Sequence, residues 1–572
     1  MKKLIFLLLA LVVCSAYAAQ QKPPKWMEKQ KRAVVSITTY KADNTELHKG
    51  TGFFITETGE LLSAYSIFRN AARAEVRDVK GNVYPVSAVI GADELYDVIR
   101  LQVAVPKKVD CLEMAVQKPA KGETVYLLPF STEKIEQFGQ GVVEDVSKLK
   151  DNYSYYQLSI PLNPTWVNAP LMTSEGKVFA LAQEDATGKN EHSFGVSAAY
   201  AYSLFLNAMD ALNSTYASID IKKAWPSEAE QAQIMLMLLQ GRQEAPEFLK
   251  TVSDFIQTFP DSPEGYLTRA SLFAYSRKAL GNEQECLAKA LDDMKMYQSK
   301  EPKKSDGLFN EAKMLYGVAV SDTTLNDPVW NIPRALEVLQ QALNLSDDPL
   351  YHQLRADIYL YQGKAADAFA EYMIVNNSAL ASSSTWYMAA KVRETMPNIN
   401  IGEIISLLDS AVVASGTPLR PEAAPYVLER IDWRLKLMQY KEAVADYDLY
   451  FQLLNGQVND SFYYYREQAK FRLNDLDGAL ADIREALRLN PQNANYHAEE
   501  ASVLIRKELY DEALQSIDKA LELAPDFASC YRLRGLCFVR QNKKAEACDA
   551  FQKAQELGDP LAARLIKEHC SE

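Results

Sequence analysis

The stretch G-T-G-F-F-I at residues 50–55, with L-L-S-A-Y-S-I-F at 61–68 behind it, decides the fold of the N-terminal part of this chain. Both are short β-rich runs set off by turn-forming residues, and the pattern extends outward from them. A-V-V-S-I-T (33–38) precedes them. V-I-G-A-D-E-L-Y-D-V-I-R-L (89–101), N-P-T-W-V-N-A-P-L (163–171) and S-F-G-V-S (193–197) follow. Strands are predicted over 34–40, 52–56, 74–78, 86–91, 98–103, 124–128, 155–160, 178–182 and 193–197. Many short strands punctuated by Gly, Asn and Asp predict an all-β sandwich or barrel. Residues 200–212 read as a helix closing this region.

From about residue 227 the chain turns Ala-, Leu- and Glu-rich, with helical periodicity. Ala479, Ala513 and Ala547 lie 34 residues apart, as do Ala486, Ala520 and Ala554, and Pro491 and Pro525. Ile483, Ile517 and Phe551 fill the same register, and Ala501 and Gly535 supply a small residue in the first helix. Small residues let paired helices approach, the larger apolar residue packs between them, and Pro ends the second helix. This is the signature of tetratricopeptide repeats. It decays upstream but persists at Ala335, Ala342, Ala368 and Ala443.

The order and spacing of the β-segments resemble the HtrA/Deg group of trypsin-like serine proteases. The resemblance implies a double β-barrel in which three segments carry the catalytic His, Asp and Ser. In this sequence Ser66, Asp97 and Val167 stand at those positions. Acyl transfer by a triad needs a hydroxyl nucleophile, an imidazole base and an orienting carboxylate. Only Asp97 keeps the required chemistry, and Ser66 is its expected hydrogen-bond partner. Neither His48 nor His192 is expected to face Asp97. Thr165-Trp166-Val167-Asn168-Ala169 replaces the glycine-rich loop that builds an oxyanion hole, and Trp166 has the bulk to plug the substrate groove.

The whole is therefore expected to be multidomain, a trypsin-like double β-barrel followed by an all-α tetratricopeptide superhelix. The expected divisions are a signal peptide (1–18), a pseudoprotease domain (19–215), helical repeats (225–557) and a C-terminal capping helix (558–572). Lys2 and Lys3, the apolar run 4–13 and Ala16-Tyr17-Ala18 have the layout of a cleaved export signal. Export to a bacterial periplasm or cell envelope is expected, with lipidation at Cys14 the less favoured alternative because Val13 breaks the lipobox pattern. Hydrophobic content of 48% and charged content of 24% fit a globular protein. A net charge of −13 argues against nucleic acid or an anionic membrane as partner. The cysteines lack C-x-x-C spacing, so neither a metal nor another cofactor is expected. Four of them crowd the last 43 residues, where a disulfide stapling the final helices and buried free thiols are both open.

Counting seven residues back from the key alanine of each repeat gives Lys436, Arg472, Arg506 and Arg540. In tetratricopeptide repeats this position lies toward the concave face. A ladder of cations there suits acidic segments or a chain-terminal carboxylate, and the barrel could bind peptide by strand addition beside residues 193–197. The expected function is a non-catalytic, exported adaptor for proteins or peptides. The alternative is a degenerate protease that recruits its substrates through the repeats; a third reading makes the barrel a support only.

Overall fold

The computed structural model describes residues 22–150, 152–185 and 192–570; the signal peptide expected over 1–18 lies outside them. Two compact units divide the chain between Glu301 and Pro302.

The first unit opens with two closed antiparallel barrels. The strands β1 (Val34–Tyr40), β2 (Glu46–Phe54), β3 (Glu60–Ser63), β4 (Arg73–Arg77), β5 (Val83–Asp93) and β6 (Val98–Val103) close in the order β1-β2-β3-β6-β5-β4. The strands β7 (Thr124–Leu127), β8 (Gly139–Lys148), β9 (Ser154–Leu158), β10 (Pro170–Thr173), β11 (Val178–Gln183) and β12 (Ser193–Ser197) repeat that order. Strand alternation sends neighbouring residues to opposite faces. Val35, Ile37, Leu61, Ile99 and Leu101 fill the first barrel. Their neighbours Val34, Leu62 and Val98 meet Met172, Leu181 and Val196 of the second. The G-T-G motif has a steric cause: a Cβ on Gly52 would lie 2.8 Å from both the Leu62 carbonyl and the Ile37 side chain.

Several expectations need correction. β8 and β10 were not foreseen, because β8 is Gly-containing and mostly exposed while β10 follows a Pro-rich loop. The helix expected over 200–212 is broken. A helix at Ala198–Tyr202 stops, and a 3₁₀ turn at Ala208–Leu212 follows. Between them the Leu206 amide donates to the Ile90 carbonyl (2.9 Å), and Asn207 caps the second piece in a capping box. Packing against β5 outweighs the helical propensity of the segment. Tyr216, Ile219 and Ile221 also join the first barrel's core, which therefore runs past residue 215. Helices Ala229–Gln240, Ala245–Thr258, Pro263–Tyr275 and Glu283–Lys300 complete the unit.

The second unit is a succession of helical hairpins, clearest from Ala424–Lys436 with Tyr440–Leu453 through Ala528–Arg540 with Lys544–Glu556. The alanines of the 34-residue register are buried, as are Ile483, Ile517 and Phe551. A Cβ on Gly535 would run into the Phe551 ring. The last helix, Ala562–His569, is held by a disulfide between Cys548 and Cys570 (Cα–Cα 5.7 Å), whereas Cys111, Cys286, Cys530 and Cys537 are free thiols. No helix among the described residues is long and apolar enough to cross a membrane.

Candidate functional site

Ser66, Asp97 and Val167 come together. All three line one cavity of about 590 Å³ between the barrels, with Tyr96, Asn168 and Gln183 among the other lining residues. Ser66 opens the 3₁₀ turn Ser66–Phe68 after β3. Asp97 sits at φ 50° in the turn before β6. The Ser66 amide donates to Asp97 Oδ1 (2.6 Å) and its hydroxyl to Oδ2 (3.0 Å), so the expected partnership is present. Both carboxylate oxygens of Asp97 are thus engaged by one residue.

Val167 follows the 3₁₀ turn Pro164–Trp166, which Asn163 caps. In a trypsin-like enzyme the oxyanion donors are the amide of the nucleophile and that of the residue two before it. The residue two before Val167 is Thr165, whose amide and hydroxyl both donate to Asn163 Oδ1 at 3.0 Å. Asn168 adopts φ 65°, and its amide donates to the Ala182 carbonyl (2.8 Å). The Thr165 amide is therefore turned inward on the loop, and the Asn168 amide is tied to β11.

Trp166 does not plug this cavity. It packs instead beside Phe138, Ile160 and Leu162 around a separate cavity. Neither His48 nor His192 lines the groove; His192 Nδ1 lies 2.8 Å from Glu144. Strand addition at residues 193–197 is also corrected, because β12 is paired with β11 on one side and β9 on the other. The strands that border the cavity are β8, through Ser147 and Lys148, β9, through Tyr155, and β11, through Gln183 and the adjacent Glu184.

Sequence reasoning missed the clasp between the barrels. Gln183 donates to the Tyr96 carbonyl (2.7 Å) and accepts from the Tyr155 hydroxyl (3.0 Å). Asp93 accepts from Lys150 (2.8 Å) and from Tyr200. Burial alone would raise the Asp93 pKa, but the hydrogen bonds from Lys150 and Tyr200 outweigh it and hold the carboxyl below its ordinary value. Burial and Asp93 together push Tyr200 up to about 12. Residues so far apart in sequence leave no local signal.

In the helical unit, Lys436, Arg472, Arg506 and Arg540 are each the last residue of a first helix, and all are exposed. Lys436 Nζ lies over the Trp433 ring at 3.6 Å. Arg506 donates to Asn474 (2.6 Å) in the preceding hairpin's turn and covers Phe471. A cation at a helix C-terminus also meets the negative end of the helix dipole, so each has a local role as well.

Residues 50–181, which include Ser66, Asp97 and Val167, match the family model of the trypsin-like peptidase domain. Residues 468–526 and 499–562 match that of the tetratricopeptide repeat. The chain thus carries a trypsin-like peptidase domain and C-terminal tetratricopeptide repeats, and the repeats indicate protein partners. No curated protein matches the chain.

Proposed function

We propose that this protein is an exported, non-catalytic adaptor, a trypsin-like pseudoprotease whose helical repeats hold protein partners in the cell envelope. The observation that carries this reading is the cavity between the barrels. Among the described residues its lining holds no imidazole, the Val167 side chain on that lining carries no nucleophilic atom, and Ser66 occupies both oxygens of Asp97. Without base or nucleophile, most of a triad's rate enhancement is gone. The Cys548–Cys570 disulfide supports an oxidising compartment. The exposed cations Lys436, Arg472, Arg506 and Arg540 support a preference for acidic segments or chain-terminal carboxylates.

One observation favours the alternative, an unconventional protease: the Ser66 hydroxyl donates to a carboxylate. A carboxylate is a far weaker base than imidazole toward a serine hydroxyl, which leaves this the second reading.

Partner binding tests the adaptor. Replacing Arg472, Arg506 and Arg540 together with Ala is expected to abolish calorimetric binding of an acidic peptide captured from the native envelope, with the helical circular dichroism retained. Unchanged affinity contradicts the cation ladder.

A further inference from the structure

The last helix keeps the register of the repeats but not their length. First helices begin at Ala494, Ala528 and Ala562, each 34 residues after the one before. The first two run 13 residues, whereas Ala562–His569 runs 8. A helix that short does not hold its own conformation in water, where about 12–15 residues are needed. Its docking is slight as well. Ala562 and Leu565 are its buried residues, while Ala528–Arg540 buries Cys530, Leu533, Gly535 and Cys537.

What this helix covers is the outer side of Phe551, whose other side meets Gly535. Leu565 and Ile566 join Phe551 in one apolar cluster, and the His569 ring stacks toward the Phe551 ring with centroids 6.1 Å apart. Two ties hold the helix there. Asp559, in the register of Pro491 and Pro525, accepts from Arg532 Nε and from the Leu561 amide, both at 2.9 Å, and fixes the helix start. The second tie is the Cys548–Cys570 disulfide, whose later cysteine directly follows the helix. Both of its cysteines are partly exposed, and exposed disulfides are the more readily reduced ones. The neighbouring thiols Cys530 and Cys537 are buried, and burial pushes both up to about 12, so neither supplies a thiolate for internal exchange.

We infer that the Cys548–Cys570 disulfide is a redox latch on the end of the repeats. Closed, it keeps Ala562–His569 over Phe551; opened by a dithiol reductant, it releases that helix and bares the outer side of Phe551. A thiolate of the dithiol attacks one sulfur of the bridge, breaking the S–S bond and forming a mixed disulfide. The second thiol of the reductant then displaces the protein sulfur. The reductant leaves as a disulfide, and Cys548 and Cys570, having gained two electrons and two protons between them, end as thiols. Under oxidising conditions the latch is shut, and the class of partner that opens it is a dithiol oxidoreductase.

Amide hydrogen exchange on the full mature chain, oxidised and after treatment with dithiothreitol in the absence of denaturant, tests this. On reduction the amides of 562–569 are expected to exchange about a hundredfold faster, the order of restraint that closing a ring of this length supplies. Residues 494–540 are expected to keep their protection, and reoxidation to restore that of 562–569. Cys570→Ser is expected to show the fast exchange with and without dithiothreitol. A bridge that dithiothreitol leaves intact, unchanged exchange of 562–569 after its reduction, or protection lost across 494–540 as well overturns the inference.

Discussion

Glu467 stands where the next two hairpins carry Ala501 and Gly535, 34 and 68 residues on, and it is fully buried. Gln468 donates to its Oε2 (2.7 Å), while its Oε1 has no partner. Burial first, then the charges of Glu499 and Asp482, push its carboxyl up to about 8. Glu499, on the following first helix, is raised as well, mainly by burial. The sign follows by linkage. With the folded pKa above the unfolded value, the stability this carboxyl permits is fully present below about pH 4.5 and is lost as pH rises through about 8. Glu467→Gln is therefore expected to melt at a higher temperature than the natural chain at pH 8.5, and to lose part of the fall in melting temperature between pH 6 and pH 9. Identical pH profiles in the two proteins contradict this. The substitution of Glu for a small residue was visible in the register; its missing partner was not, because burial is a tertiary property.

At the scale of the element, the hairpin turns repeat as faithfully as the helices. Met438, Asn474, Glu508 and Asn542 occupy one register and all have φ near 60°. Each is followed by an amide that reaches back to close the helix end, as Leu509 does to the Leu504 carbonyl (2.9 Å). The left-handed conformation costs an ordinary residue about 1–2 kcal/mol, and Asn tolerates it best after Gly. Glu508→Asn, copying Asn474 and Asn542, is expected to stabilise the unit by about 0.5–1 kcal/mol in chemical denaturation; a loss of stability contradicts the assignment. The 34-residue period made the helices legible because Ala, Ile and Pro recur at packing positions. The bonds inside the hairpins were less legible. Arg430 grips Asp446 and Arg466 grips Asp482 through paired hydrogen bonds of 2.6 and 2.9 Å, and Arg355 meets Glu371, always 16 residues on. On an acidic chain such residues pass for surface charge, yet Asp446 and Asp482 are buried. Breaking such a pair from one side leaves an uncompensated buried charge.

For the whole molecule, the sequence was most legible where alternation and spacing were regular. Ser66 and Asp97 could be named because each sits at the end of a recognisable β-rich run, and Val167 because the order of the segments resembles that of a trypsin-like protease. Ser66 follows β3, Asp97 precedes β6 and Val167 precedes β10. The surroundings of that cavity were not legible, since Trp166 turns away from it and β12 is paired on both sides. The proposed function therefore depends on chemistry at a place the sequence could locate but not furnish. Fluorophosphonate labelling of the purified mature protein tests it most directly, because only an activated hydroxyl is attacked covalently. No adduct is expected at Ser66 or at any other hydroxyl lining the cavity, and no cleavage of casein. A single labelled serine, with casein hydrolysis abolished by that label, would contradict it.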